Sequence, residues 1–493
     1  MKPAFHFSFF ALLLLGKILQ AQTDTLHVSL EEIVTLAQSE APDALLAETR
    51  MKTSYWSYRT YQADFKPGVV FTGTLPELNR SIGLITLPDG SSAFVQQSQI
   101  VNTANLSIRQ RIPFTGGSLF ARSGLQRLDI LNPGAANSVS YFSTPFSIGF
   151  DQPIFGFNEL KWNKRIEPLR YQEATRQYAE QMEDVAYTAT QLFFEVYISQ
   201  LNLQAARQDK ANADTLFNIS KGRFEVGRIA ETELLQIELS AMNADAAMQQ
   251  AVLDLQSGTE RLRNFLGLQQ AVFFKMEAPT EIPGFLVSPD EALKYAREFR
   301  SDIISFQRRL AQAEANVAQA KANRGFQMNL FGQLSFSQKG DNITDAYQSP
   351  QDNELVTVGI QVPIFDWGRG RAQLETASSA HELEMRTVAQ EKVNFEQEIL
   401  LQVKQFDLLR KQVAISLRAY EVSLKREEMT RNRYYIGKIG VLELNLAVSE
   451  KEAARRSYMS ALRSFWLAYY DLRRNTLFDF ERQVSLVRRV EGY

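Results

Sequence analysis

The sequence predicts a mixed α and β membrane protein, an internally duplicated chain of long α-helical hairpins and membrane β-strands. Three observations lead to this fold class. A repeat covers most of the chain, the helical patterns run far beyond the ~25 residues at which globular helices usually end, and alternating strand-like segments lie between them.

Two motifs recur at one spacing along the chain. Arg223-Phe224-Glu225-Val226-Gly227-Arg228-Ile229 recurs as Arg433-Tyr434-Tyr435-Ile436-Gly437-Lys438-Ile439, and the segment 149–155 recurs as 359–365, in both cases 210 residues later. Unrelated motifs seldom share one spacing by chance. The repeated unit is far longer than the ~20–50 residues of a solenoid repeat, so we interpret it as a duplicated half-molecule.

The first 21 residues have the pattern of a cleaved secretory signal. Lys2 supplies positive charge, residues 5–15 are apolar, and Ala21 precedes the expected cut. The apolar run is too short for a spanning helix, which needs ~20 residues. The chain has no cysteine, which excludes a disulfide framework and thiol chemistry, and its formal net charge of −2 gives no indication of nucleic-acid binding.

Histidine is almost as scarce as cysteine. After signal removal only His27 and His381 remain, and their spacing does not suit a metal site. We therefore predict no metal, no cofactor and no enzymatic activity.

The first half starts with a helical pattern at 29–64, followed by strand-like segments at 69–75, 106–112 and 142–154. Residues 76–103 are rich in Pro, Gly, Ser and Asn and are interpreted as a loop. A run of strong helix formers then predicts a helix at 158–222, a break at Gly227 and a second helix at 231–266.

The second half repeats this order, with helices at 289–324, 370–436 and 441–476 and strands at 328–336 and 354–364. The spacing between matching residues falls from 259, for Gly73 and Gly332, to 210, so the first half carries 49 additional residues. They include the segment 105–128, which either adds strands to the sheet or projects outward as an extracellular flap.

Strands of this length need a closed barrel to cross a membrane, because hydrocarbon leaves no other partner for a strand edge. The sequence contains no spanning helix, and four or six strands are too few to enclose a lumen. Closure therefore requires several chains, and a trimer would supply 12 strands from those that the two halves share.

The chain is accordingly divided into a signal peptide (1–21), an N-terminal helix (22–67), barrel strands with an extra hairpin (68–154), a helical hairpin (155–268), a linker (269–288), a second helix (289–326), further barrel strands (327–364), a second helical hairpin (365–477) and a C-terminal tail (478–493).

Residues 363–374, Pro-Ile-Phe-Asp-Trp-Gly-Arg-Gly-Arg-Ala-Gln-Leu, resemble the strand-to-helix corner of the TolC-like outer membrane efflux protein family. Arg223-Phe224-x-x-Gly227 and Arg433-Tyr434-x-x-Gly437 resemble its paired hairpin tips. The resemblance implies a homotrimer: a β-barrel in the lipid of the outer membrane, continued by an α-helical barrel across the periplasm.

The same resemblance implies a passive exit duct of a tripartite efflux or type I secretion system. Its inner end would dock on a periplasmic adaptor (membrane fusion) protein and an inner-membrane pump. The sequence specifies neither the cargo nor which pump and adaptor are used. The alternative is a periplasmic coiled-coil scaffold without a pore, which the alternating strands disfavour.

At the two strand-to-helix corners, Pro153 and Pro363 suit strand ends because proline has no ladder donor. Asp366 is predicted to cap the helix that follows, and Asn158 takes that place in the first half. At the tips, Gly227 and Gly437 permit the left-handed backbone that ends a helix.

The tip segments 223–233 and 433–443 are predicted to contact the adaptor, the alternative being that they are only helix–helix turns. The predicted docking residues are Arg223, Gly227, Ile229, Thr232, Arg433, Gly437 and Ile439.

The resemblance also suggests gate residues. Glu443 would form a ring of carboxylates constricting the channel, a single ring because Leu446 replaces the family's second acid; the alternative is a solvated helix glutamate. Glu233 would latch the closed state to a base. Ile439 stands where the family has that base, so Lys438 or Arg228 would serve instead, beside Tyr434, which matches the gate tyrosine.

Overall fold

The computed structural model describes residues 25–86, 89–131, 138–269, 273–279, 281–436 and 438–487. The predicted signal peptide and Gly437 lie outside these residues. The described chain forms two compact units, one from residues 25–51, 175–301 and 394–487, and one from residues 52–174 and 302–393. We call them the helical unit and the sheet unit.

The helices are α1 (Leu30–Glu40), α2 (Pro42–Ala63), α3 (Glu159–Glu225), α4 (Glu231–Phe265), α5 (Pro289–Phe299), α6 (Ser301–Arg324), α7 (Asp345–Gln348), α8 (Arg369–Tyr435) and α9 (Val441–Thr476). The strands are β1 (Thr25–Ser29), β2 (Gly68–Thr86), β3 (Ser92–Arg111), β4 (Ser118–Ile130), β5 (Ser138–Ile154), β6 (Phe273–Glu277), β7 (Gln327–Gly340), β8 (Gln351–Gln361), β9 (Phe478–Asp479) and β10 (Val484–Ser485). None of the helices in the described residues is both long enough and apolar enough to span a membrane.

The sheet unit is built on one six-stranded sheet in the order β2-β3-β4-β5-β7-β8, with every neighbouring pair antiparallel. The segment 105–128, which the sequence did not place, lies in β3 and β4, inside this sheet. The first half of the chain thus supplies four strands and the second half two.

The predicted loop at 76–103 is wrong. β2 continues to Thr86 and pairs with β3 as far as Ser92, whereas β4 begins to pair with β3 only at Gln99. The hairpin therefore extends past β4 as a two-stranded ribbon, in which residues 80–86 pair with residues 92–98. The prediction failed because Gly, Ser and Asn are frequent in this segment. Apolar residues nevertheless recur at even positions, so Leu78, Ile82 and Leu84 lie on one face of the strand.

The predicted single helices at 29–64 and 289–324 are each interrupted, at Ala41 and at Arg300, where the backbone is extended. These residues are 259 apart, so the break is itself duplicated. Ala41 precedes Pro42, which disfavours helical backbone in the residue before it. After Arg300, Glu180 accepts hydrogen bonds of 2.8 Å from both the N–H and the hydroxyl of Ser301 and so caps α6.

The helical unit contains the aromatic core and a buried ion cluster. Phe193, Phe194, Phe406 and Phe465 are fully buried. Arg473 of α9 donates to both oxygens of Glu183 of α3, at 2.9 and 3.0 Å. The same guanidinium lies 3.3 Å from Asp479 of β9, so these ion pairs connect the C-terminal segment to α3 and α9. The predicted linker also contains β6, which pairs with β1 in parallel.

Candidate functional site

The first helical hairpin turns at Gly227, between α3 and α4. Gly227 has φ of +71°, the left-handed conformation that the sequence predicted for it. Its N–H donates to the carbonyl of Phe224 at 2.8 Å, and the N–H of Arg228 donates to the carbonyl of Arg223 at 2.8 Å. This pair of hydrogen bonds is a Schellman motif, which closes the last turn of α3.

The second hairpin, between α8 and α9, makes the corresponding bond. The N–H of Lys438 donates to the carbonyl of Arg433 at 3.0 Å. Lys438 and Arg433 lie 210 residues after Arg228 and Arg223, so the repeated sequence produces a repeated hydrogen bond. Gly437, between them, is outside the described residues.

Tyr434 lies in a hydrophobic cluster that joins the two hairpins. Only 5% of its surface is exposed, and it packs with Ile237 of α4 and with Val441 and Leu444 of α9. Partly buried side chains surround this cluster, namely Leu216, Phe217, Ile439 and Val448. The predicted gate tyrosine and one predicted docking residue, Ile439, thus help to hold the hairpins of one protomer together. We call these eight residues the tip cluster.

Glu443 is exposed in the first turn of α9 and has a local structural role. Its Oε2 accepts a hydrogen bond of 2.9 Å from the N–H of Gly440, the residue that precedes the helix. A carboxylate at this position satisfies a free N–H and interacts favourably with the helix dipole. This contact was not predicted from the sequence, although an acidic residue at the third helical position is a known signal for it.

The residues of the predicted latch lie near the tips but do not pair within one chain. Glu233 is half-buried at the start of α4, and Arg228 and Lys438 are exposed. Within the described part of the protomer, no ion pair joins Glu233 to either base. Of the other predicted docking residues, Thr232 and Arg433 are exposed, and Ile229 and Arg223 are half-buried.

The tips also carry exposed apolar side chains, which were not predicted from the sequence. Val226 and Ile436 stand immediately before the tip glycines, are related by the same spacing of 210, and are 69% and 66% exposed. More exposed leucines follow along α4 and α9, namely Leu235, Leu239, Leu442 and Leu446. The repeat could have indicated them, because both halves keep an apolar residue before the tip glycine. A solvent-exposed turn does not bury such a side chain, so its presence in both halves suggests another role.

Beside the tip cluster, α3, α4, α8 and α9 enclose an open polar cavity of about 570 Å³. Arg455 of α9 donates to Glu452 of the same helix at 2.9 Å and to Asn202 of α3 at 2.8 Å. Burial raises the pKa of Asp209, against the opposing effect of the nearby Lys451. The described residues contain no cluster of His, Cys, Asp or Glu suited to a metal ion.

The strand-to-helix corner of the sheet unit is held by Asp366. Its carboxylate accepts hydrogen bonds from the N–H groups of Gly370 at 2.7 Å and Gly368 at 3.0 Å, and these two bonds lower its pKa. The sequence predicted this cap. In the first half, Asn158 accepts from the N–H of Lys161 at 3.0 Å at the start of α3.

The two corner prolines occupy strand ends. Pro153 is the second-last residue of β5, opposite Asn329 of β7, and Pro363 lies two residues after the end of β8 at Gln361. Pro153 lies beyond Asp151, the last residue of β5 that pairs with β4, and Pro363 lies outside β8, so both prolines stand where the sheet is ending.

Residues 34–268 and 292–475 match the family described as outer membrane efflux protein. A related sequence is the outer membrane efflux protein BepC of Brucella suis biovar 1 (strain 1330), 24% identical over 194 residues. That match spans 39% of this chain and 41% of BepC, so it covers less than half the length of the relative.

Solved structures of similar fold cover nearly the whole chain. The Campylobacter jejuni CmeC outer membrane channel superposes with a TM-score of 0.66 at 16% identity, over 94% of this chain and 88% of CmeC. The open state of the Neisseria gonorrhoeae MtrE outer membrane channel gives a TM-score of 0.60 at 15% identity, over 92% and 90%. At these identities the comparison shows a shared fold.

Proposed function

Because this chain belongs to the outer membrane efflux protein family, we propose that it is the exit duct of a tripartite efflux or type I secretion system. The protein resides in the outer membrane with a large periplasmic part. One observation carries the proposal: a single chain combines a six-stranded antiparallel sheet, open at both edges, with two helical hairpins whose tips are duplicated. Transport through such a duct is passive, and its partners supply the energy.

The duct is a homotrimer. Six strands are too few to enclose a lumen, because even eight leave an interior that side chains fill. In hydrocarbon the open sheet edges need partner strands, and further copies of the chain provide them. The sheet units then form the barrel in the lipid, and the helical units form the periplasmic part.

The tips form the periplasmic mouth and dock on the adaptor protein, which connects the duct to an inner-membrane pump. Val226 and Ile436 support this assignment, since each exposes an apolar side chain at the end of a hairpin, where an isolated protein gains nothing from it. The duplicated turn presents both of them in the same way.

Glu443 forms the carboxylate ring of the gate. Its side chain is exposed and its position is fixed by the hydrogen bond to Gly440. Three such groups around an axis would raise the local concentration of cations. Glu233 latches the closed gate to Lys438 or Arg228 of a neighbouring copy, because no such pair exists within the described residues of one protomer.

The test is purification of the mature protein from outer membranes in mild detergent, followed by native mass spectrometry and negative-stain imaging. We expect trimers with threefold symmetry and a detergent belt at one end. A protein recovered from the soluble periplasmic fraction as a monomer or dimer would contradict the duct and favour the scaffold without a pore.

A further inference from the structure

The two edge strands of the sheet, β2 and β8, are exposed on both faces. Every residue of β8 is exposed, and so are nearly all of those in β2 whose side chains are described. Phe71 on β2 and Val356 on β8 are 67% and 74% exposed. Within the described residues no further strand pairs with the outer edge of either strand. Two apolar edges with free backbone groups require partners once they enter a membrane.

The strand directions make these two edges complementary. Strands alternate in direction across the sheet, so the first and sixth strands, β2 and β8, run in opposite directions. A second copy can therefore add its β2 to the free edge of β8 and continue the antiparallel pattern without a break. An odd number of strands in each copy would have prevented this.

We propose that β8 of each copy pairs with β2 of the next, so that three copies close a barrel of 18 strands. This deepens the proposed function and rests on its homotrimer. A ring of only 12 strands would need four strands from each copy, with β4, β5, β7 and β8 closing the ring and the β2–β3 hairpin left outside. We favour a barrel that includes the hairpin, because β3 already pairs with β4 over residues 99–111. A ring that excluded the hairpin would have to break this pairing.

The faces of the sheet restrict the register of this seam. One row of directly paired residues crosses the sheet and defines a common face, namely Val70, Ser107, Arg122, Ser147, Ser335 and Asn353. Even-numbered residues at the start of β2 therefore share a face with odd-numbered residues of β8. A seam that preserves the two faces must pair even with odd.

One register satisfies this rule and also aligns the ends of the strands. Gly68, the first residue of β2, lies opposite Gln361, the last residue of β8, just as Gln327 of β7 already does. Phe71 is then opposite Val358. Pairing ends near Pro76, where β2 has an irregularity and where proline offers no N–H to a neighbour.

This register also shifts the strand pairing along the barrel from one copy to the next. Within one copy, the row through Val70 ends at Asn353, whereas the seam places Gly359 opposite Val70. The pairing thus advances six residues along β8 for each copy. Closed barrels need such a shift because their strands tilt, typically by 35–45°. A barrel of 18 strands is in the range that leaves an open aqueous channel.

The absence of cysteine from the chain makes the seam directly testable. Phe71→Cys is combined in turn with Val356→Cys, Val358→Cys and Ile360→Cys, and outer membranes are oxidised before denaturing electrophoresis. We expect covalent trimers that disappear on reduction, with the highest yield from the Val358 pair, whose Cβ atoms would face each other across the seam.

Three control pairs define the result. Phe71→Cys with Thr357→Cys has matching height but opposite faces and should not link copies. Phe71→Cys with Leu106→Cys, directly paired within one chain, should give only an internal disulfide. Ala121→Cys with Val358→Cys tests the 12-strand ring, in which β8 would meet β4.

Covalent trimers from the first panel support the 18-strand barrel. No links from that panel in a protein that native mass spectrometry shows to be trimeric would overturn it, as would links from the Ala121 pair, and the proposed duct would stand in both cases. A protein that is monomeric in every preparation would instead refute the proposed function.

Discussion

Glu443 accepts a hydrogen bond of 2.9 Å from the backbone N–H of Gly440, across the first turn of α9. The residue proposed for the carboxylate ring therefore also caps its own helix. The two roles depend on different properties of the side chain. Capping needs an acceptor oxygen, whereas a cation-selective ring needs negative charge, so substitutions can separate them.

Glu443→Gln retains an acceptor and removes the charge. We expect weaker cation selectivity and weaker block by multivalent cations in planar-bilayer recordings, with little change in thermal stability. Glu443→Ala should lose the cap as well, at a cost of about 1 kcal/mol. Unchanged selectivity in the glutamine variant would contradict the ring and leave Glu443 with its capping role alone.

Tyr434→Ala should loosen the contact between the two hairpins. Removing a buried aromatic ring leaves a cavity and typically costs about 3–5 kcal/mol. We expect faster hydrogen exchange at the tips and a higher open probability of the channel. Tyr434→Phe retains the ring, so it should behave like the native protein if packing is what matters. An open channel in the phenylalanine variant would show that the hydroxyl holds the gate instead.

Val226→Glu combined with Ile436→Glu should abolish adaptor docking. Both residues are exposed, so the trimer should form normally, but two buried charges at the contact would reduce affinity by at least tenfold. Pull-down of the purified adaptor measures this. The matched control is Met242→Glu on α4, which is 66% exposed and lies beyond the tip. Equal binding by the tip variant and the control would contradict docking at the tips.

Gly227→Ala should strain the first tip, because a left-handed backbone costs a residue with a Cβ about 1 kcal/mol. The control lies five residues earlier: Gly222 is within α3, and a Cβ there meets nothing within 4 Å. Gly222→Ala should therefore stabilise the hairpin slightly. Thermal unfolding of the two variants should shift in opposite directions, and a shared direction would argue against strain at Gly227.

Asp209 should make the stability of the helical unit depend on pH. Burial raises its pKa above the unfolded value of about 3.9, so the folded chain retains the proton to higher pH than the unfolded chain. The free energy of unfolding therefore falls as pH rises through this window. Asp209→Asn should flatten that part of the profile, measured by denaturant unfolding.

Local signals predicted local structure well. Gly227 adopts the left-handed backbone and Asp366 caps its helix, because each depends only on neighbours within a few residues. The duplicated order of helices and strands was also readable, since it rests on periodicity. The family assignment from the corner and tip motifs agrees with the match over residues 34–268 and 292–475.

Distant contacts could not be predicted in the same way. Tyr434 packs against Ile237 of the other hairpin, and the sequence around Tyr434 gives no indication of this contact. The break before Ser301 depends on Glu180 of α3. In the ribbon formed by residues 80–86 and 92–98, the apolar face can be recognised only when β2 and β3 are aligned, so composition alone suggested a loop.

The open edges of the sheet also constrain how the protein reaches its membrane. A solitary protomer would bring two rows of unpaired backbone groups into hydrocarbon, where each costs several kcal/mol. Insertion must therefore coincide with assembly or follow it. In the proposed trimer, a protomer that has not yet assembled leaves apolar strands such as β8 uncovered, so formation of the barrel depends on the concentration of protomers.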